Sequence, residues 1–297
     1  MPAYRAYGLG IRSALELPEL SLLNDEAAID LEVVFGEVDG PLPEPGVARI
    51  VRIDRDQAYL AWSGIGRFLV TRQGQVTIDA LTDQSLALRF ALLGPVIAAY
   101  LQLRGIPLLH GSAVVIDGRA ILCIGRKTAG KSTMAAALVA AGCTLLNDDV
   151  LPLRLGEVMA LTPGFPALKL SPPVRAFLLP DSLILDDDSA MPADKLVVSL
   201  PGGPTGDVAV RLVVVLDPER VPGVTILPPL EALGALLQEG YCLKFGDHAL
   251  AAGQGPLLFD ACARIASQRR VVRVGRSLDL ADLPLIADRL RTLARGE

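Results

Sequence analysis

The sequence predicts an α/β protein in two parts, a smaller β-rich N-terminal domain over residues 1–83 and a larger mixed domain over 84–297. Three observations carry that reading. Up to Asp83 the apolar residues come in short runs split by Gly, Pro and Asp, which is the pattern of strands and turns. Just beyond it they fall at helical spacing instead. An apolar run at 120–124 then enters a glycine-rich loop that opens a second helical stretch.

In the first part, strands are expected at 29–35, 48–53, 59–61, 67–71 and 75–78. The segment 40–46, Gly-Pro-Leu-Pro-Glu-Pro-Gly, is a loop, because prolines cannot donate to a central ladder. The second part opens with a helix at 84–104, kinked at Pro95. A strand at 106–116 follows, and Asp117-Gly118 signals a hairpin into the strand at 120–124. The helix that opens at Lys131 is stopped by Gly142. A short buried strand, 144–146, ends in Asn147-Asp148-Asp149, and a hairpin around Gly156-Glu157 joins strands at 151–155 and 158–161. Residues 186–188 and 201–206 read as surface loops around a strand at 195–200, followed by a strong strand at 208–216. Helices at 230–238, 256–267 and 280–294, with a strand at 271–274, complete the chain. There is no internal repeat.

Composition narrows the function classes. Hydrophobic residues make up 51% of the 297, yet only 4% are aromatic. The most apolar stretch, 86–109, is cut by Arg89 and Arg104 and contains Pro95. No uncharged apolar run of ~20 residues exists, so no spanning helix and no membrane partner are expected. The first residues lack the apolar centre of a signal peptide, which points to the cytoplasm. A net charge of −5 with mixed signs and no basic stripe argues against nucleic acid. Cys123, Cys143, Cys242 and Cys262 have apolar neighbours and no C-x-x-C spacing, so they read as reduced core thiols.

The chemistry concentrates at residues 125–132, Gly-Arg-Lys-Thr-Ala-Gly-Lys-Ser, which fit G-x-x-x-x-G-K-[ST]. The apolar strand before it and the helix after it supply the context the motif needs. Gly125, Arg126, Lys127, Thr128, Ala129 and Gly130 form a loop whose backbone N–H groups turn inward on phosphates. The start of the helix, Lys131 to Thr133, adds positive potential there. Lys131 reaches the β- and γ-phosphates, and the Ser132 hydroxyl is placed for Mg²⁺. The implied cofactors are ATP and Mg²⁺.

Asp148 and Asp149 lie beyond the strand after that helix, where open α/β sheets bind ligands. One carboxylate holds Mg²⁺, and the other accepts a proton from an attacking hydroxyl. His110, on the strand expected beside the loop's own strand, faces a phosphate or the second acid, or is a satisfied core residue. Lys169 and Lys195 bind substrate or the moving phosphoryl group, or are surface lysines. His248 has no evident partner.

The run from His110 to Val150 resembles the catalytic core of the bacterial HPr kinase/phosphorylase family, with a His-Gly, two strands, the loop, one helix and an Asp-Asp pair. The resemblance implies a P-loop kinase core of the HPr kinase/phosphoenolpyruvate carboxykinase type with a separate N-terminal domain, and makes a homo-oligomer plausible. It also implies Lys131 and Ser132 on phosphate and Mg²⁺, Asp149 as catalytic base, Asp148 on the metal or orienting the base, and His110 near the phosphoryl group. The sequence departs from the bifunctional enzymes in having Pro163-Gly164-Phe165-Pro166 where they carry Arg-Gly-[Leu/Ile]-Gly, and Val150 where they carry Arg. Its Tyr-Arg-Ala-Tyr-Gly-Leu opening, its His-Gly-Ser-Ala run and its Pro-Gly-Phe-Pro segment look closer to the HPr-kinase-like proteins of lasso peptide biosynthesis. Those phosphorylate the C-terminal serine of a precursor peptide. The expected partner is therefore a peptide or small protein, which the β-rich domain would recognise by strand addition. Two other readings fit the same motif, a nucleotide-dependent regulatory ATPase or scaffold with no phosphoryl acceptor, and a small-molecule kinase.

Overall fold

The computed structural model describes residues 1–24, 27–83, 85–186, 195–246, 254–275 and 279–296. It is a mixed α/β chain that divides into two compact units, Met1–Leu108 with Tyr241–Leu257, and Leu109–Gly240 with Leu258–Glu297. His248, Asp187 and Asp188 lie outside the described residues, as does Gln84, the expected first residue of the kinked helix.

In the first unit, β1 (Ala3–Ala6), β2 (Leu9–Ser13), β3 (Ser21–Leu22), β4 (Leu31–Phe35), β5 (Ile50–Ile53), β6 (Gln57–Trp62), β7 (Gly66–Thr71) and β8 (Gln75–Ala80) make one sheet. Its order is β3-β1-β2-β4-β8-β7-β6-β5. The strand runs read from the sequence all appear here. The first three strands were missed because Gly8, Gly10 and the two-residue length of β3 blur the alternation.

A boundary at residue 83 does not hold. The helical segment α1 (Ser85–Ala91), a π turn (Leu92–Val96) and α2 (Ile97–Leu103) belong to the first unit. Every residue of α2 is buried, and Tyr100 Oη donates to the Asp30 carbonyl at 2.7 Å. Arg89 pairs with Glu19 at 2.7 Å. Leu86–Leu103 has the length and apolarity of a membrane span, with mean hydropathy 1.7, but 89% of it is buried within the protein. A helix apolar on all sides is what an interior position requires. Pro95 sits in the π turn, whose wider winding tolerates its missing N–H.

The second unit holds β9 (Leu108–Ile116), β10 (Arg119–Ile124), α3 (Lys131–Ala140), β11 (Thr144–Arg154), β12 (Ala160–Leu161), β16 (Val208–Leu216), β17 (Gly223–Ile226) and β18 (Arg270–Gly275). Between β12 and β16 lie β13 (Ala167–Leu170), α4 (Pro172–Leu178), β14 (Leu183–Asp186) and β15 (Leu196–Ser199). The remaining α-helices are α5 (Pro229–Gln238), α6 (Gly255–Gln268) and α7 (Leu283–Arg295), with 3-10 turns at Tyr241–Phe245 and Leu280–Asp282. The main sheet runs β10-β9-β11-β12-β16-β18-β17 and closes on itself, because β10 also pairs with β16 in parallel. A smaller sheet has the order β13-β15-β14. The hairpin turn between β9 and β10 has Asp117 and Gly118 at φ 49° and 71°, both left-handed, as a two-residue turn needs.

The core of this unit packs Met134–Leu138 of α3 against residues of β10, β16 and β18 and against Leu283, Ala287 and Leu290 of α7. The alanines of α3 allow that close approach from more than one side.

Three readings are corrected. The strand expected to stop at Leu146 continues through the Asp pair to Arg154, since its second half pairs with β12. Asp186 belongs to β14, not to a loop. Residues 167–170, to which the sequence assigns no element, form a strand.

All four cysteines are free and buried. Burial pushes the Cys123 thiol up to about 12, and burial also raises Cys143 and Cys242. Because the folded value of Cys123 lies above that of a free thiol at about 8.5, its contribution to stability is intact below that pH and falls as pH climbs toward 12. At pH 8 the native protein should react with a thiol reagent only as fast as it unfolds, and the denatured protein should titrate four groups. A rapid native reaction would contradict this core.

Candidate active site

The glycine loop leaves the C-terminal end of β10 and enters α3 through backbone conformations that few residues adopt. Gly125, Thr128 and Gly130 have φ of 145°, 72° and 87°. A Cβ on Gly125 would sit 2.6 Å from the Leu216 carbonyl, so only glycine lets the loop start flush against the end of β16. Gly130 begins α3 with no side-chain cap, leaving the helix's first N–H groups turned to the loop. Arg126, Lys127 and Thr128 are exposed, and Ala129 is buried. Lys131 is buried, and its Nζ donates to the Gly125 and Arg126 carbonyls at 2.6 and 3.1 Å. Burial pulls its pKa down, opposed by the charges of Glu239, Asp149 and Asp148.

Ser132, one residue on, donates to both oxygens of Asp148 at 3.0 and 3.2 Å. Ser112 of β9 donates to Asp148 Oδ1 at 2.6 Å, and the Lys169 backbone N–H approaches Oδ2 at 3.4 Å. Burial raises the Asp148 pKa, the neighbouring Asp149 raises it further, and the donors around it pull the other way without cancelling the rise.

Asp149 has φ 69°, in the left-handed region, so β11 turns sharply between the two acids. Asn147 holds that turn. It is buried, its Nδ2 donates to the Val150 and Thr162 carbonyls at 3.0 and 3.1 Å, and its Oδ1 accepts from Gly164 N–H at 3.0 Å. Asp149 thereby faces a different set of partners. Its Oδ2 accepts from Lys169 Nζ at 2.8 Å. His110 Nδ1 lies 3.0 Å from the Asp149 carbonyl and 3.9 Å from Oδ1. A carbonyl only accepts, so Nδ1 carries the proton when the ring is neutral and Nε2 is left as the acceptor. For Lys169, burial lowers the pKa, but Asp149 and Asp148 outweigh it and the net direction is up. The amine therefore stays charged at neutral pH.

The structure thus brings together Lys131, Ser132, Asp148, Asp149 and His110, at the start of α3. It adds Ser112, which the sequence reading passed over. The signal was present, since residues two apart on a strand share a face and His110 already marked it. Lys169, which the sequence left open between site and surface, belongs here, and Lys195 is exposed. Among the described residues, no group of three or more His, Cys, Asp and Glu is arranged to hold a metal. Ser132 and Asp148 instead offer a sparse set of hard oxygens. That set suits Mg²⁺, which binds through one or two carboxylates and shares its remaining positions with phosphate and water.

On the other side of the glycine loop is a cavity of about 650 Å³. The loop's outer edge, Asp217 and Glu219 after β16, Arg273 of β18 and one face of α5 line it. No local sequence signal marked these residues, because separate elements assemble them.

No family model and no curated protein matches the sequence. Among solved structures the chain is similar to the HPr(Ser) kinase/phosphatase from Coxiella burnetii. The TM-score is 0.32 at 16% identity, over 64% of this chain and 94% of that one.

Gly125→Ala should lower stability by about 1–3 kcal/mol, the usual cost of forcing an extra carbon into a packed site. Gly156→Ala, whose new carbon meets only ordinary contact at 3.6 Å, should leave the denaturation midpoint close to wild type. Equal urea midpoints for the two variants would show that the loop does not close on β16 as described.

Proposed function

We propose that this protein is an ATP- and Mg²⁺-dependent serine kinase of the HPr-kinase-like type, acting on a peptide or small protein, with the C-terminal serine of a lasso precursor peptide as acceptor. The observation that carries this reading is the division of labour between the two acids. Asp148 is bonded to Ser132 at the start of α3, while Asp149 turns its carboxylate to Lys169 and His110. The choice of acceptor draws on the sequence resemblance.

Ser132 and Asp148 would hold the Mg²⁺, which when bound neutralises charge on the phosphate oxygens and relieves a carboxylate that burial makes costly to ionise. The N–H groups of the glycine loop and of the first turn of α3 would hold the β- and γ-phosphates. Lys131 needs only to leave the carbonyls of its own loop to add its charge there. Asp149 accepts the proton of the serine hydroxyl, whose oxygen bonds to the γ-phosphorus as the bond to the β–γ bridging oxygen breaks. ADP leaves with that electron pair. Lys169 keeps Asp149 ionised for this step, and His110 fixes the backbone that presents it.

Mass spectrometry of candidate peptides after incubation with the protein, ATP and Mg²⁺ tests the reading. Precursor peptides ending in serine should gain one phosphate, and Lys131→Ala should abolish the gain. Asp149→Asn should still bind ATP while losing transfer by about 10²–10⁴, the usual worth of a general base. Transfer at wild-type rate in that variant would remove Asp149 from the role. ATP turnover to free phosphate with every peptide unmodified would replace the kinase with a regulatory ATPase.

A further inference from the structure

We propose that the cavity beside the glycine loop is the seat of the nucleoside half of the triphosphate, and that Gly234 is the residue that keeps it open. This rests on the nucleotide reading above and names residues that reading did not use.

Position is the first argument. The strands β10, β16 and β18 run parallel, and the cavity lies beyond their carboxyl ends, where Gly125, Asp217 and the end of β18 meet. In the sheet, β16 and β18 lie on one side of β10, while β9 and β11, which carry His110 and the two acids, lie on the other. A triphosphate laid over the loop therefore has its reacting end toward Asp149 and its nucleoside toward this cavity. A volume of about 650 Å³ is in the range of small-molecule sites.

The wall contributed by α5 is the second. Glu231, Gly234, Ala235 and Gln238 all line the cavity. Their spacing of three, four and seven places them on one helical face. That face is polar at both ends and nearly bare in the middle. The opposite face buries Ala232 and Leu236 in the core. A glycine inside a helix is unfavourable, and packing does not require this one, since a Cβ on Gly234 would meet nothing within 4 Å. Its absence leaves a flat surface on which a planar base fits.

Unspent polar groups are the third. Arg273 Nε is buried without a hydrogen-bond partner. Its ion pairs are stretched, Nε at 3.8 Å from Asp217 and Nη1 at 3.5 Å from Glu231. Asp217, Glu219 and Glu231 line the cavity together with Arg126, Lys127, Arg220 and Arg273, and the carboxylates are suited to accept from ribose hydroxyls. The Gln238 amide can donate to a base edge and accept from it.

Gly234→Leu should fill the cavity while leaving the fold intact, with a melting temperature no lower than wild type. Calorimetry with ATP and, separately, with inorganic tripolyphosphate, both with Mg²⁺, reads the result. The variant should bind tripolyphosphate as wild type does and bind ATP at least about tenfold more weakly, as expected when a filled pocket excludes part of a ligand. Wild-type ATP affinity in Gly234→Leu would overturn the assignment, as would equal affinities of the wild-type protein for ATP and tripolyphosphate. Failure of the wild-type protein to bind either ligand would instead sink the glycine-loop reading and this inference with it.

Discussion

The site is organised around one half-buried carboxylate. Asp148 sits beside a second acid in a position where burial disfavours its charge, and a group in that position persists only if donors surround it. Those donors come from three elements far apart in sequence, Ser112 on β9, Ser132 on α3 and the backbone of Lys169 on β13. Satisfying one side chain thus fixes where the loop helix, the neighbouring strand and the small sheet meet. The same requirement explains the strain at Asp149. A straight β11 would send the two adjacent side chains to opposite faces, so a sharp turn is needed for both acids to meet Lys169. The left-handed residue provides that turn, and Asn147 spends all its hydrogen-bonding atoms on holding it.

Much of this was legible beforehand, and for local reasons. The glycine loop, the helix after it and the Asp pair are contiguous or nearly so, and each carries its own constraint in residue type. The strands β4 to β8 alternate cleanly enough to be found. What could not be read required distant partners. Lys169 lies between Leu168 and Leu170, both buried, and nothing local says which acid its side chain meets. Thr144–Arg154 reads as a strand that ends at polar residues, because a half-buried acid pair in mid-strand is an unusual use of the chain. The boundary at 83 failed for a related reason. A change of periodicity from strand to helix marks a change of element, but only the packing of α2 on its sheet, and bonds such as Tyr100 to Asp30, decide which unit the helix serves.

The glycine loop also has a history during synthesis. Gly125 is closed from below by the carbonyl of Leu216, and β10 has its parallel neighbour in β16, roughly ninety residues later. Closing a loop of that length carries an entropy cost that its own contacts must outweigh, and such non-local pairing is slow to form. A nascent chain that has just emitted its glycine motif therefore has the letters of the cradle but no floor under it. The cradle takes shape only when the strand ending at Leu216 has emerged, so a fragment cut after α3 would carry the whole motif and still lack the site.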